Sequence, residues 1–173
     1  MTRQAPPDVR VVASLGAGPI GGGWSAHFLA RGYDVVSYIH DPSEEAALRS
    51  FIDTAWVNLE ELGLQSGASR DRLIVTSDLE AAVADAGFIQ ESAPERLDLK
   101  QALYARLGDI VPADVVISSS TSGLTMTEIQ KSCATPERTV VGHPFNPPYL
   151  LPLVEIVGGE KSSPEAVEWA RAF

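Results

Sequence analysis

Three polar residues late in the chain have the side-chain types needed to remove a proton from a hydroxyl group. His143 directly follows the apolar stretch 139–142, and Glu155 comes twelve residues later in another extended run. A histidine changes its charge near neutral pH and can act as a general base. A carboxylate on its second ring nitrogen would fix the tautomer, and the hydroxyl of Ser122, in a hydroxyl-rich turn, could hold a substrate oxygen.

The spacing of these residues leaves two interpretations open. The segment between His143 and Glu155 begins with a proline-rich stretch, 144–148, that could fold back and bring the two side chains together. Alternatively, His143 is a loop histidine bonded to the backbone and Glu155 is a solvated residue at a sheet edge. Spacing alone favours this second, purely structural interpretation.

A glycine-rich turn near the N-terminus predicts a dinucleotide-binding site. The apolar stretch 11–15 leads into the turn, and Trp24 and Phe28 follow at helical spacing. In a G-x-G-x-x-G turn the first glycine allows a tight bend, the second lets the backbone approach a pyrophosphate, and the third lets the helix pack on the strand. Phosphates would bind the free N–H groups of the helix N-terminus. An ordinary glycine-rich strand-to-helix turn is the alternative. The residues of this turn are Gly16, Ala17, Gly18, Pro19, Ile20 and Gly21.

Strands and helices are predicted to alternate along almost the whole chain. Helices are predicted from about 19 to 32, from a cap at Ser43 to Gly63, after the capping box at 77–80, after Pro94, and from Ser163 onward. This alternation predicts a doubly wound α/β domain with a mostly parallel sheet. Ligands bind at the carboxyl edge of such sheets, where Ser122 and His143 are expected. The predicted strands cover residues 10–15, 34–39, 73–76, 88–91, 115–118, 139–142 and 153–157.

Composition limits the classes of partner. The 173 residues, 45% of them hydrophobic, are enough for one domain spanning 1–173. The formal net charge of −10 argues against nucleic acid and anionic membranes. No apolar run reaches the roughly 20 residues of a membrane span, and no secretion signal is recognisable. With Cys133 as the single cysteine, neither a disulfide nor a cysteine zinc cluster is expected, no metal site is predicted, and a cytoplasmic location is favoured.

The chain resembles the 3-hydroxyacyl-CoA dehydrogenase family. The resemblance implies a Rossmann-type NAD-binding domain with NAD as the cofactor and a small-molecule 3-hydroxy acid as the substrate. His143 corresponds to the family's catalytic histidine, Glu155 to its partner carboxylate, and Ser122 to a serine that contacts substrate and cofactor. The resemblance therefore favours the catalytic interpretation of the pair. The segments that carry it are GAGPIGGGW, QESAPERLDLK, SSSTSGL and VVGHPFNPPYLLPLVEIVGGE.

Further expectations depend on the resemblance alone. It implies that Glu95 and Lys100 line the cofactor site, whereas the residues by themselves indicate a helix-start acid and a solvated lysine. The ESAPER segment and the two glycines after LVEIV are typical of the branch that oxidises the 3-hydroxyl of L-carnitine to 3-dehydrocarnitine. Another substrate of this type, a 3-hydroxyacyl-CoA or L-gulonate, is the alternative. A non-catalytic nucleotide-binding or crystallin-like protein is the alternative of another class.

Two of the chain's departures from the family pattern concern the cofactor and the substrate cleft. An acidic residue usually ends the second strand and binds the adenosine ribose, but Ile39 stands there, and Asp41, two positions later, is our candidate. Neither Arg31 nor Arg49 is obviously placed for the 2′-phosphate of NADP, so the cofactor preference stays open. The family also has a C-terminal helical domain that completes the substrate cleft and forms the dimer. We therefore expect the chain to be the N-terminal part of a homodimeric enzyme and to be inactive alone.

Overall fold

The protein, described by a computed structural model over residues 3–173, folds around a single seven-stranded sheet. The strands are β1 (Val11–Leu15), β2 (Asp34–Tyr38), β3 (Leu73–Thr76), β4 (Phe88–Glu91), β5 (Val116–Ser119), β6 (Thr139–Pro144) and β7 (Val154–Gly158). The α-helices are α1 (Pro19–Ala30), α2 (Glu45–Leu62), α3 (Leu79–Val83), α4 (Leu97–Ile110), α5 (Met126–Ile129) and α6 (Pro164–Ala172). Single 3-10 turns lie at Pro6–Asp8, Pro42–Glu44, Arg70–Arg72, Gln130–Ser132 and Pro136–Arg138.

The strand order confirms the doubly wound α/β prediction. The order is β3-β2-β1-β4-β5-β6-β7, in which β1 to β6 are mutually parallel and β7 is antiparallel to β6. From β1 the chain first builds outward to β3 and then crosses back to β4 on the other side of β1. The carboxyl ends of β1 and β4 therefore flank the crevice in which such folds bind dinucleotides.

Both faces of the sheet are covered by helices. Alternate residues of β1 enter different cores: Val12 packs with α1, α2 and α6, and Ala13 packs with α3, α4 and α5. Both residues are fully buried. This double covering explains why the strands are apolar on both faces, and it fixes the sheet edge as the place where polar side chains can collect.

Two predicted boundaries differ from the structure in ways that affect the site. The expected cap at Ser43 is wrong: the carboxylate of Asp41 caps the 3-10 turn that precedes α2, and Ser43 donates its backbone N–H to it. Strand β6 is longer than predicted and includes His143, because its pairing with β7 continues to Pro144. In residues 3–173, no helix combines the length and apolar character needed to cross a bilayer.

Burial of His27 predicts a pH dependence of folding. Burial, together with the nearby positive charge of Arg31, lowers the pKa of His27 from 6.5 to about 4. Between these values the unfolded chain binds a proton that the folded chain does not, so stability falls as the pH drops through this window. We expect a loss of about 3 kcal/mol by pH 4.

Urea denaturation of the His27→Gln variant between pH 4 and pH 7 measures this effect. The variant should show a flatter dependence of unfolding free energy on pH than the wild type. Asn58→Gln, an exposed change that involves no titratable group, is the control and should leave the slope unchanged. An unaltered slope in His27→Gln would contradict the assignment.

Candidate active site

The glycine turn connects β1 to α1 at the crevice. Gly16 has a φ of +120°, and a Cβ there would lie 2.7 Å from the carbonyl oxygen of Ser92. A Cβ on Gly21 would lie 2.0 Å from the carbonyl oxygen of Gly16. A Cβ on Gly18 would meet no atom within 4 Å. Two glycines are therefore required by packing, whereas Gly18 keeps open the space in front of the helix.

Buried hydroxyl groups hold the first turn of α1 against the sheet. Ser14 of β1 and Ser25 of α1 both donate to the carbonyl oxygen of Gly21, over 3.2 and 2.9 Å. The Ser25 hydroxyl also bonds the hydroxyl of Ser37 in β2, at 2.9 Å. All three serines are fully buried. These bonds fix the direction of the helix N-terminus relative to the crevice.

The crevice fits the pyrophosphate and adenosine of a dinucleotide. A cleft of about 580 Å³ lies in front of the turn and is lined by Gly16, Ala17 and Gly18. Gly18 is the N-cap of α1 and supplies no capping side chain, and Pro19 is the first helical residue. The N–H groups of the first turn therefore remain available to an anion. The side chain of Ile20 is partly buried against the core, and its part in cofactor binding stays a prediction.

The residues that follow β2 have different surroundings in the structure. Ile39 is 2% exposed and belongs to the core, so it cannot contact a cofactor. Asp41 is exposed, its Oδ1 accepts the N–H of Ser43 at 2.9 Å, and it is not among the residues that line the cleft. The hydrogen bond from the Ser43 backbone lowers the pKa of Asp41. The role of Asp41 in ribose binding stays a prediction, while His40 and Glu44, which sequence reasoning overlooked, do line the cleft.

A buried ion pair links the two loops beside the cleft. Glu91, the last residue of β4, is fully buried, and its Oε1 lies 2.5 Å from Nζ of Lys100, which is 1% exposed. The same oxygen accepts the N–H of Ala93 at 2.6 Å, and Oε2 accepts the hydroxyl of Ser119 at 2.6 Å. Lys100 also donates to the carbonyl oxygen of Ala93 at 3.1 Å. Lys100, expected to line the cofactor site, therefore lies beneath it and supports its walls.

Glu95 organises the loop that follows β5. Its Oε1 accepts the hydroxyl of Thr121 at 2.6 Å and the N–H groups of Ser122 and Gly123, each at 3.0 Å. Partial burial raises the pKa of Glu95, but the bond from Thr121, the two loop N–H groups and the charge of Lys100 together lower it below its usual value. Glu95 is thereby kept ionised and holds Ser122 at the carboxyl edge of the sheet.

His143 and Glu155 meet across the antiparallel pair β6–β7. They are directly opposite in register, and Nδ1 of His143 lies 2.8 Å from Oε2 of Glu155. The side chains are 27% and 58% exposed. Both residues and Ser122 line one pocket of about 340 Å³. The proline-rich segment does return the chain as the second strand of a hairpin, and the structure brings the three sequence-predicted residues together.

The sequence prediction omitted Glu91. A signal was present, because a glutamate at the end of the apolar run FIQE needs a cation if it is buried, and Lys100 follows nine residues later. Glu91 is the residue that joins β4, the loop after it and β5 through one carboxylate.

Removing the charge of Glu91 should strongly destabilise the fold. In Glu91→Gln the buried ammonium of Lys100 keeps only the more distant and partly exposed carboxylate of Glu95, at 3.7 Å, at an expected cost of about 3 kcal/mol. The double variant Glu91→Gln/Lys100→Met should recover part of this loss, since no charge then remains buried. Urea denaturation measures both values. The exposed pair Arg96–Asp98 is the control, and Asp98→Asn should leave stability unchanged. Equal losses of stability in Glu91→Gln and in the double variant would contradict the charge argument.

Substitutions at two glycines of the turn should have different effects, one on stability and the other on dinucleotide binding. Gly21→Ala forces the Gly16 carbonyl to move and should cost about 3 kcal/mol of stability. Gly18→Ala should cost less than about 1 kcal/mol, since its φ of −67° suits alanine and its Cβ meets nothing. The same Gly18→Ala change should weaken dinucleotide binding, because the added methyl group occupies the space facing the helix N-terminus. Thermal unfolding and calorimetric titration check the two effects, and full-strength binding by Gly18→Ala would contradict this location of the phosphates.

Known proteins have sequences similar to that of the chain. Two L-carnitine dehydrogenases are similar: that of Streptomyces griseus is 63% identical over 171 residues, covering 98% of this chain and 50% of the relative. That of Pseudomonas putida is 54% identical over 166 residues, covering 96% and 52%. The chain thus spans about half the length of these relatives.

Solved structures agree with this similarity. The 3-hydroxybutyryl-CoA dehydrogenase of Escherichia coli superposes with a TM-score of 0.84 at 30% identity, over 93% of this chain and 35% of that one. An NAD⁺-dependent dismutase, FHMPC 5-dehydrogenase, gives a TM-score of 0.84 at 32% identity, over 95% and 55%. The family described as "3-hydroxyacyl-CoA dehydrogenase, NAD binding domain" matches residues 11–173. The glycine turn, the sheet order and these matches together lead to one conclusion: the chain belongs to the 3-hydroxyacyl-CoA dehydrogenase family, as its NAD-binding domain.

Proposed function

We propose that the chain is the cofactor-binding half of an enzyme that oxidises the 3-hydroxyl group of L-carnitine to a ketone with NAD. The observation that carries the proposal is the His143–Glu155 pair, which shares a pocket with Ser122 at the carboxyl edge of the sheet. The 63% identity to a relative named L-carnitine dehydrogenase supports the choice of substrate.

His143 acts as the base of the reaction. With Glu155 ionised, Nδ1 carries the proton and donates it to Oε2, so the lone pair of Nε2 is free to accept the proton of a substrate hydroxyl. As the imidazole takes up this proton it becomes positive, and the adjacent carboxylate stabilises the charge. Glu155 therefore has two roles, holding the tautomer before the reaction and balancing the charge after it.

The remaining residues position the reactants. NAD, when bound, supplies the acceptor for the hydride that leaves carbon 3 of the substrate. Residues 16–21 bind the pyrophosphate at the N-terminus of α1. Ser122 donates its hydroxyl to the substrate oxygen, and Glu95 and Lys100 keep the loop of Ser122 in place.

An aromatic ring next to the histidine suits a quaternary ammonium. The ring of Phe145 is 39% exposed, and its centroid lies 5.8 Å from that of His143. Cations of this kind bind to aromatic faces. Phe145 is therefore the residue of this chain that we expect to contact the trimethylammonium group, with the remaining wall supplied by the part of the enzyme beyond this domain.

The proposal is tested on a complete enzyme, made by joining this chain to the C-terminal half of the Streptomyces griseus relative. His143→Ala should lower kcat/KM for L-carnitine by roughly 10²- to 10⁴-fold, the contribution of general base catalysis. Glu155→Gln should lower kcat by about tenfold or more with little change in the NAD dissociation constant. Glu160→Gln, an exposed glutamate at the end of the same hairpin, is the control and should keep full activity.

The readout also distinguishes the alternatives. A fusion that oxidises L-gulonate or a 3-hydroxyacyl-CoA faster than L-carnitine would contradict the substrate but keep the reaction. A fusion that binds NAD and oxidises none of these substrates would favour the non-catalytic alternative. The predicted homodimer and cytoplasmic location belong to the complete enzyme.

The isolated 173-residue chain should bind NAD weakly and turn over little or no L-carnitine. The reason is that its pocket at His143 is open, and the base alone does not exclude water or orient the substrate. Absorbance of NADH at high enzyme concentration measures residual turnover. Robust oxidation by the chain alone, abolished by His143→Ala, would contradict this expectation.

A further inference from the structure

We infer that Glu44 binds the adenosine ribose of the dinucleotide and selects NAD over NADP. The inference rests on the proposed function, since it names the residue that sets cofactor choice at the same site. It begins from the departure noted in the sequence, where an isoleucine stands at the position that usually carries the ribose acid.

The two nearest residues are already committed elsewhere. Strand β2 ends at Tyr38, and the side chain of Ile39 is buried in the core next to it. Asp41 uses Oδ1 to cap the turn at Pro42–Glu44 and does not line the cleft. The ribose therefore needs another acceptor for its hydroxyl groups. A carboxylate is suited to this role, because its oxygens accept hydrogen bonds from hydroxyl groups.

Glu44 is a carboxylate held at the cleft wall. It lines the cleft together with Tyr38 and His40 and the glycine turn. Its Oε2 accepts the backbone N–H groups of His40 at 3.0 Å and Asp41 at 3.2 Å, which fixes the direction of the side chain. Within residues 3–173, Oε1 accepts no hydrogen bond. One oxygen thus anchors the group, and the other is left for a ligand hydroxyl.

The charge at this position discriminates against NADP. Its 2′-phosphate would lie where Glu44 presents a negative charge, and the part of the cleft lining that the structure describes contains neither lysine nor arginine. Arg49 pairs with Glu45 at 2.8 Å. Arg31 lies at the C-terminal end of α1, opposite to the glycine turn. A carboxylate without a neighbouring cation favours a free ribose hydroxyl over a phosphate.

Calorimetric titration of the chain with NAD and with NADP tests the inference. Glu44→Gln keeps an oxygen that can accept the two N–H groups but loses the charge. We expect the NAD dissociation constant to rise about tenfold, as for the loss of a charged hydrogen bond, and the ratio of NADP to NAD dissociation constants to fall by at least as much. Glu44→Lys should go further and bind NADP more tightly than NAD.

Asp41→Asn tests the competing assignment, since Asp41 is the acid that the sequence predicts for the ribose. It should leave the NADP to NAD ratio within about twofold of the wild type, and thermal unfolding should show all three variants folded. An unchanged ratio in both Glu44 variants, or a shifted ratio in Asp41→Asn alone, would overturn the inference while leaving NAD binding intact. A wild-type chain that binds neither dinucleotide would overturn the proposed function and the inference with it.

Discussion

The carboxylate of Glu91 is completely buried, and its hydrogen bond to Ala93 holds the loop that forms one wall of the cofactor crevice. A buried charge is tolerated only when its hydrogen-bonding capacity is filled, and here an ammonium, a backbone N–H and a hydroxyl fill it. The N–H belongs to the loop after β4 and the hydroxyl to the end of β5. One carboxylate therefore holds the loop after β4, which forms one wall of the crevice, against the end of β5.

The second constraint is the register of the β6–β7 hairpin. Residues directly opposite in an antiparallel pair have neighbouring side chains, and this register makes His143 and Glu155 such a pair. Slipping by one residue would turn Glu155 to the other face. The hairpin thus converts a separation of twelve residues in sequence into a 2.8 Å contact, at the same sheet edge as the loop that Glu95 holds.

The fold and much of the site could be predicted because they depend on local patterns. The glycine turn is recognisable from its own spacing, and the alternation of apolar runs with helical periods was sufficient to predict the doubly wound sheet. The His143–Glu155 contact could not be settled by spacing, because it depends on a register set by the hairpin as a whole. Glu91 and Glu44 were overlooked for a related reason: burial, and the direction of a side chain bound to two backbone N–H groups, are tertiary properties. Ser43 was wrongly predicted as a cap because a 3-10 turn, Pro42–Glu44, precedes α2, and Asp41 caps that turn by accepting the N–H of Ser43.

The two sites lie along one edge of the sheet, with the dinucleotide cleft on one side of the loop after β5 and the His143–Glu155 pair on the other. Chemical-shift mapping of the ¹⁵N-labelled chain on addition of NAD tests this arrangement most directly. We predict shifts in the amides of residues 16–21, of Ala93 and of residues 122–124, and none in the loop 63–69 between α2 and β3. Shifts confined to residues away from the glycine turn, or no shifts at saturating NAD, would contradict the account.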